Sequence, residues 1–134
     1  KSNKDSLLNM KNIDYPKGNH IYIIKQKAHN TTYYKIGYTK NLNKRIKVYN
    51  TGNANKIFFN YIIKVEDEEI NKCIKKIMKN QEYIKNKEFY KVSLNSALRF
   101  INKCSNDINN ISCGYCIKEY SFITISKHKC KLHN

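Results

Sequence analysis

The sequence is short of acids, of arginine and of long apolar runs. Ten Asp and Glu face 26 Lys and Arg in 134 residues, and only two of the cations are arginines, Arg45 and Arg99. No apolar run approaches the ~20 residues that cross a bilayer, which excludes a transmembrane helix. The opening KSNKDSLLNM has no apolar stretch of the kind a secretory signal carries, and it starts at Lys1 rather than methionine, as a piece cut from a longer protein would. With five cysteines the count is odd, against a secreted disulfide scaffold. The shortage of carboxylates excludes an acidic solvating tail. What remains has the length of one ordinary domain with a small appendage, and its 40% apolar residues suffice for a modest core.

The formal charge is +16 with histidines neutral. Lys, Asn and Ile share AT-rich codons, so genome composition supplies part of the lysine, but the surplus is too large to be only that. A field of this sign draws polyanions and gives salt-sensitive contacts to phosphate backbones. Nucleic acid is therefore the first expected partner. An anionic membrane surface comes second, because no strongly amphipathic basic helix stands out.

Residues 1–18 form a polar lead-in ending in Pro16 and Gly18. HIYIIKQK (20–27) reads as a well-buried strand and YYKIG (33–37) as its hairpin return across AHNTT. In 39–50, Leu42, Ile46 and Tyr49 fall on one helical face behind a Thr39 or Asn41 cap. KIFFNYIIKV (56–65) reads as a central strand. A helix over 66–80 opens on an acidic turn and carries Ile70, Cys73, Ile74 and Ile77 inward. EFYKV (88–92) is a short strand and 93–104 a last helix. The order ββαβαβα gives an α+β domain over 19–104, followed by a polar linker, 105–110.

The final segment, 111–134, reads ISCGYCIKEYSFITISKHKCKLHN. Cys113 and Cys116 flank Gly114 as C-x2-C, and His128 and His133 follow at x11 and x4, at the edge of C2H2 zinc-finger spacing. Tyr120 and Ile125 stand where such a finger needs its apolar plug. A tail this short cannot bury enough surface to fold alone, whereas Zn²⁺ would supply the stability. Cys130 competes with His133 as fourth ligand; His133 is preferred because a His-x-Cys pair strains to reach one ion. Disulfides are not expected, which points to a reducing compartment, cytoplasmic or nuclear. Cys73 reads as a core thiol, and Cys104 has no evident role.

Three features of the main domain are odd on structural grounds. Tyr22 sits among isoleucines and needs a hydroxyl partner if buried. Arg45, in a chain that otherwise uses lysine, lies at the edge of an inward helical face, where a planar fork grips phosphate or carboxylate. Glu66, Asp67, Glu68 and Glu69 form the one dense anionic spot. Taken singly, a core tyrosine, an ion pair and a dipole-favoured helix start account for each.

Their order along the chain resembles the GIY-YIG nuclease superfamily, through HIYIIKQ, YYKIGYTKNLNKRIKVYNTG, EEINKCIKKI and KEFYKV over roughly 19–92. It is most similar to the phage and large-virus branch, described as DNA-binding domains, in which the second motif is KIG. The resemblance implies a three-stranded antiparallel sheet flanked by helices. It also implies roles: Tyr22 deprotonating or aligning the attacking water, Arg45 stabilising phosphate charge, Glu69 (Glu68 in an alternative register) holding Mg²⁺ or Mn²⁺, and Tyr49 close to the nucleophile. Two motif positions depart from the pattern. His20 replaces the first glycine, and Lys35 replaces the second tyrosine, where it can touch phosphate only as a point charge. A late asparagine of the family has no secure counterpart, Asn86 and Glu88 lying nearby.

The expectation is thus a divalent-metal-dependent DNA endonuclease, of viral or phage origin, with Lys40, Lys44, Lys47 and a zinc finger holding the duplex. The alternatives are a DNA-binding module of the same fold without cleavage and, third, a protein–protein adaptor acting through the finger.

Overall fold

The structure, a computed structural model, describes residues 13–28, 31–52, 56–84, 87–105 and 111–125. Two long strands, β1 (Lys17–Ala28) and β2 (Thr31–Asn41), pair antiparallel as the alternation predicts. Ile21, Tyr22, Ile23 and Ile24 are all buried, so β1 is covered on both faces, and that is why its apolar run is continuous rather than alternating with polar residues. Ile21 and Ile23 enter one core, while Tyr22 and Ile24 enter a second on the opposite face.

Helix α1 (Leu42–Asn50) covers the Tyr22 face through Leu42 and Ile46. Asn41 is its cap, its side-chain oxygen accepting the Lys44 N–H at 3.0 Å. Helices α2 (Glu69–Ile77) and α3 (Leu94–Cys104) cover the other face, burying Ile74 from the first and Ala97, Leu98 and Ile101 from the second. Asp67 accepts the Glu69 N–H at 2.9 Å, so the acidic turn does serve a helix start.

β3 (Tyr61–Lys64) pairs with the other side of β1, giving β2-β1-β3 at the centre. The apolar stretch before it, expected as strand from residue 56, is not strand. At Asn60 the backbone N–H reaches the Ile23 carbonyl at 2.8 Å while the side chain accepts the Lys25 N–H at 2.7 Å, and this double engagement bends the chain. The expected strand 88–92 also shrinks, to β5 (Phe89–Tyr90), because Glu88 holds φ 62° just before it.

The sheet is wider than three strands. β4 (Glu82–Ile84) and β5 extend it beyond β2, and β6 (Ile111–Cys113) and β7 (Glu119–Tyr120) extend it beyond β3. The order is β4-β5-β2-β1-β3-β6-β7, antiparallel throughout. The segment expected as a separate finger thus enters as an edge strand of the main sheet. It ends, as described, in a single turn α4 (Phe122–Ile125) whose Ile125 is buried in the first core.

One expectation is overturned outright. Cys73 on α2 and Cys104 at the end of α3 form a disulfide, with Cα atoms 5.7 Å apart. The two helices pack side by side on one face of the sheet, so residues 31 apart in sequence become neighbours. Disulfides are uncommon in reducing compartments, and the bond runs against the compartment inferred from the odd cysteine count. Closing a loop of this length removes unfolded-chain entropy worth about 3.7 kcal/mol. Urea unfolding with and without dithiothreitol is expected to show a drop of that order on reduction, with Cys73→Ser already at the lower value under oxidising conditions.

Candidate phosphate-binding site

Strand register places Tyr22 directly opposite Gly37. The Tyr22 ring lies across that glycine so closely that a Cβ there would run into the phenol. The glycine of the KIG motif is thus required by its neighbour's ring, not by a backbone turn. Crossing Gly37 carries the Tyr22 hydroxyl to the Tyr49 hydroxyl on α1, 2.6 Å away. Phe59 packs on the Tyr22 ring with centroids 4.9 Å apart. Tyr22 is 2% exposed, leaving almost no surface for a substrate, whereas Tyr49 is half-buried.

The two phenols differ electrically. Burial pushes Tyr22 far above the ordinary tyrosine range, and its hydrogen bond to Tyr49 pushes it further. Burial also raises Tyr49, where the hydrogen bond shared with Tyr22 acts the other way, and the Arg45 charge lowers both phenols. The Tyr22 hydroxyl, expected to deprotonate or align the attacking water, is held against the Tyr49 hydroxyl.

Lys35 lies two residues before Gly37 on the same face of β2. Its Nζ donates to the Lys87 carbonyl at 3.1 Å and sits 4.7 Å from the Phe89 ring centroid and 5.7 Å from that of Tyr49. Burial lowers its pKa, the Glu88 carboxylate raises it, and Arg45, Lys87 and Lys75 lower it. Tyr22, Tyr49 and Lys35 are neighbours by contact, and the Arg45 charge is felt at all three.

The carboxylate whose charge reaches this cluster is Glu88. Glu69 is exposed and pairs with Lys72 at 3.3 Å along its own helix. Glu88 also pairs with Lys75 of α2 at 3.4 Å. On the first turn of α2 the inward residue is Asn71, 6% exposed, whose Oδ1 is buried without a hydrogen-bond partner among the described residues. The helix therefore turns an amide inward and its acids outward. Glu68, the alternative register, lines a groove with Arg45, Lys40 and Lys44, whereas Lys47 lines a different groove with Asp14 and Lys56.

Sequence reasoning missed Lys75 and left Glu88 unassigned. The signal for Lys75 would have been its place one turn after Asn71. Glu88 sits in a turn at positive φ, which no periodicity marks.

Residues 19–105 match the profile of the T5orf172 domain. The chain belongs to the T5orf172 domain family. T5orf172 is a phage-derived domain associated with GIY-YIG- and HNH-type nucleases. No curated protein and no solved structure matches the chain. No helix among the described residues of this T5orf172 protein is long and apolar enough to cross a membrane.

The Mg²⁺ or Mn²⁺ that the resemblance implies does not suit the donors at this site. No group of three His, Cys, Asp or Glu side chains that could hold a metal occurs among the described residues. Hard divalent ions take one or two available carboxylates together with phosphate oxygens and water. Glu88 is engaged by Lys75 and has Lys35 in its field, so the surroundings of the T5orf172 site favour an anion over a second cation.

Two outcomes follow. Gly37→Ala is expected to displace the Tyr22 ring and lower stability by about 1–3 kcal/mol in urea unfolding. Burial raises Tyr90 to about 12 and lifts Tyr15 and Tyr22 higher still, whereas unfolded tyrosines ionise near 10. Above pH ~10 the unfolded chain therefore binds fewer protons than the folded one. Stability contributed by these phenols is present below that pH and is lost as pH rises through about 12, which urea midpoints measured across alkaline pH will reveal.

Proposed function

We propose that this protein binds DNA by gripping a backbone phosphate between Arg45, Lys35 and the Tyr49 hydroxyl. The observation that carries the reading is the grouping of these three side chains around a buried phenol, with Lys75 compensating the Glu88 carboxylate. Arg45 supplies a planar donor fork, Lys35 a point charge on a nearly fixed stem, and Tyr49 a hydroxyl oriented by Tyr22. Lys40 and Lys44, in the groove that Arg45 lines, extend the contact along the backbone. Contacts of this kind fix register on a duplex without reading its sequence.

A second reading is endonucleolytic cleavage of the bound phosphodiester. The specific observation in its favour is the Tyr22–Tyr49 hydroxyl pair within the field of Arg45, which could align a water beside a charge-stabilised phosphate. It requires a divalent ion that the donors present do not readily hold.

Binding of a fluorescent duplex, followed by anisotropy over a range of salt, tests the first reading. Lys35→Ala and Arg45→Ala are each expected to weaken affinity by about ten- to a hundredfold and to reduce the salt slope by about 1. Glu69→Ala should bind nearly as the parent does. Affinity that is absent, or unchanged in both cation variants, would overturn the proposal. Supercoiled plasmid incubated with Mg²⁺ or Mn²⁺ separates the readings: nicking lost in Arg45→Ala and Tyr49→Phe would establish cleavage, while intact plasmid alongside tight binding leaves the binding module.

A further inference from the structure

We propose that Tyr83, stacked on Tyr33, is a platform for an unpaired base, so that the DNA segment held beside it is single-stranded. The inference rests on the phosphate-binding reading, which it extends by naming the form of the strand.

Strand geometry sets the platform on the same face of the sheet as the phosphate site. Side chains alternate across a strand, so Tyr33, Lys35 and Gly37 share one face of β2. Phe89 of β5 stands opposite Lys35 and joins that face. On β4, Glu82 is paired with Tyr90, which is itself paired with Tyr34. Glu82 therefore belongs to the opposite face, and Tyr83, the next residue, turns back towards Tyr33. The two rings stack with centroids 4.2 Å apart and planes 24° from parallel.

The stack is solid beneath and open above. Tyr33 is 5% exposed yet joins neither hydrophobic core, and the ring laid over it is Tyr83. Tyr83 is 49% exposed, and of the large apolar side chains described only Val48 shares such exposure. With one ring face against Tyr33, that exposure falls on the outer face and the edge. A ring already held flat loses little freedom when another flat group settles on it.

The charges beside the stack select a base on a phosphate backbone from among flat apolar groups. Two strand residues, roughly 7 Å, separate Tyr33 from Lys35. Lys35 Nζ in turn lies 4.7 Å from the Phe89 ring centroid. The acids of these strands are turned away or engaged: Glu82 is on the other face, and Glu88 pairs with Lys75 at 3.4 Å. Rings that take bases beside cations that take the backbone are how single strands are bound. Within a duplex each base face is covered by its neighbours, so the occupant of Tyr83 is an unpaired base.

Anisotropy of a short labelled thymidine strand, compared with an abasic strand of the same length and charge, tests the inference. The unaltered protein is expected to bind the thymidine strand about tenfold more tightly. Tyr83→Ala should lose that margin and Tyr83→Phe keep it, with the salt slope the same in both, since no phosphate contact is touched. Filter binding of relaxed circular duplex, which offers no open base face, should not distinguish Tyr83→Ala from the parent. A second measurement covers misfolding of that variant: photo-crosslinking of the unaltered protein to an iodouracil strand is expected to mark Tyr83. Equal affinity for the two strands, an undiminished margin in Tyr83→Ala of native fold, an equal loss on circular duplex, crosslinks only at other residues, or a dimer that Tyr83→Ala dissociates in sedimentation would each overturn the proposal. Lys35→Ala and Arg45→Ala should weaken both strands alike and leave the margin intact. If they change neither strand while the margin still depends on Tyr83, the phosphate seat is wrong and the platform stands.

Discussion

One steric constraint organises the site: the phenol end of an aromatic ring packed against a residue that has no side chain. Tyr22 can cross from β1 towards α1 only because its partner in the ladder is Gly37. Register and glycine together fix where the phenol ends, and the hydroxyl contact then fixes Tyr49 on the helix. A slip of one residue in the hairpin would move Tyr22 into the opposite core and replace it with an isoleucine. The geometry of the site is therefore set by strand pairing, the most strongly specified feature of the fold.

The electrostatics follow from that placement. A buried phenol stays neutral, so the Tyr22 position offers orientation rather than charge. Charge comes from the rim, where Lys35 is pinned by the Lys87 carbonyl and the Phe89 ring, and Arg45 stands in solvent on α1. Glu88 is held by Lys75 and tempers repulsion among the cations. On the proposed function, a phosphate oxygen entering this rim would meet Lys35 and Tyr49 already held in place, which limits the side-chain entropy lost on binding.

Much of this was legible in the sequence. The apolar run in HIYIIKQK announced a well-buried strand, and helical spacing placed Arg45 beside the inward stripe of Leu42, Ile46 and Tyr49. The oddness of a tyrosine among isoleucines correctly marked a hydroxyl in need of a partner. What escaped notice depends on contacts between elements distant in the chain. Nothing local to Cys73 or Cys104 tells that α2 and α3 lie side by side. Glu69 drew attention through the density of acids around it, yet helix phase turns Asn71 inward and leaves Glu69 with Lys72. Glu88 and the edge strands beside it occupy stretches too short for periodicity to register. The attachment of the Cys113 segment to β3 was not readable either, because edge pairing is decided by the partner strand. The expected zinc ligands His128, Cys130 and His133 lie outside the described residues.

The central claim is that a phosphate seats among Arg45, Lys35 and Tyr49. The most direct test is an NMR titration of the full chain with a short DNA duplex at low salt, following the Arg45 Nε–Hε, Lys35 Nζ and Tyr49 ring resonances. The account predicts that these three shift first and together, and that added salt reverses the shifts. Silence at all three, with perturbations confined to the α2–α3 face of the sheet, would contradict it.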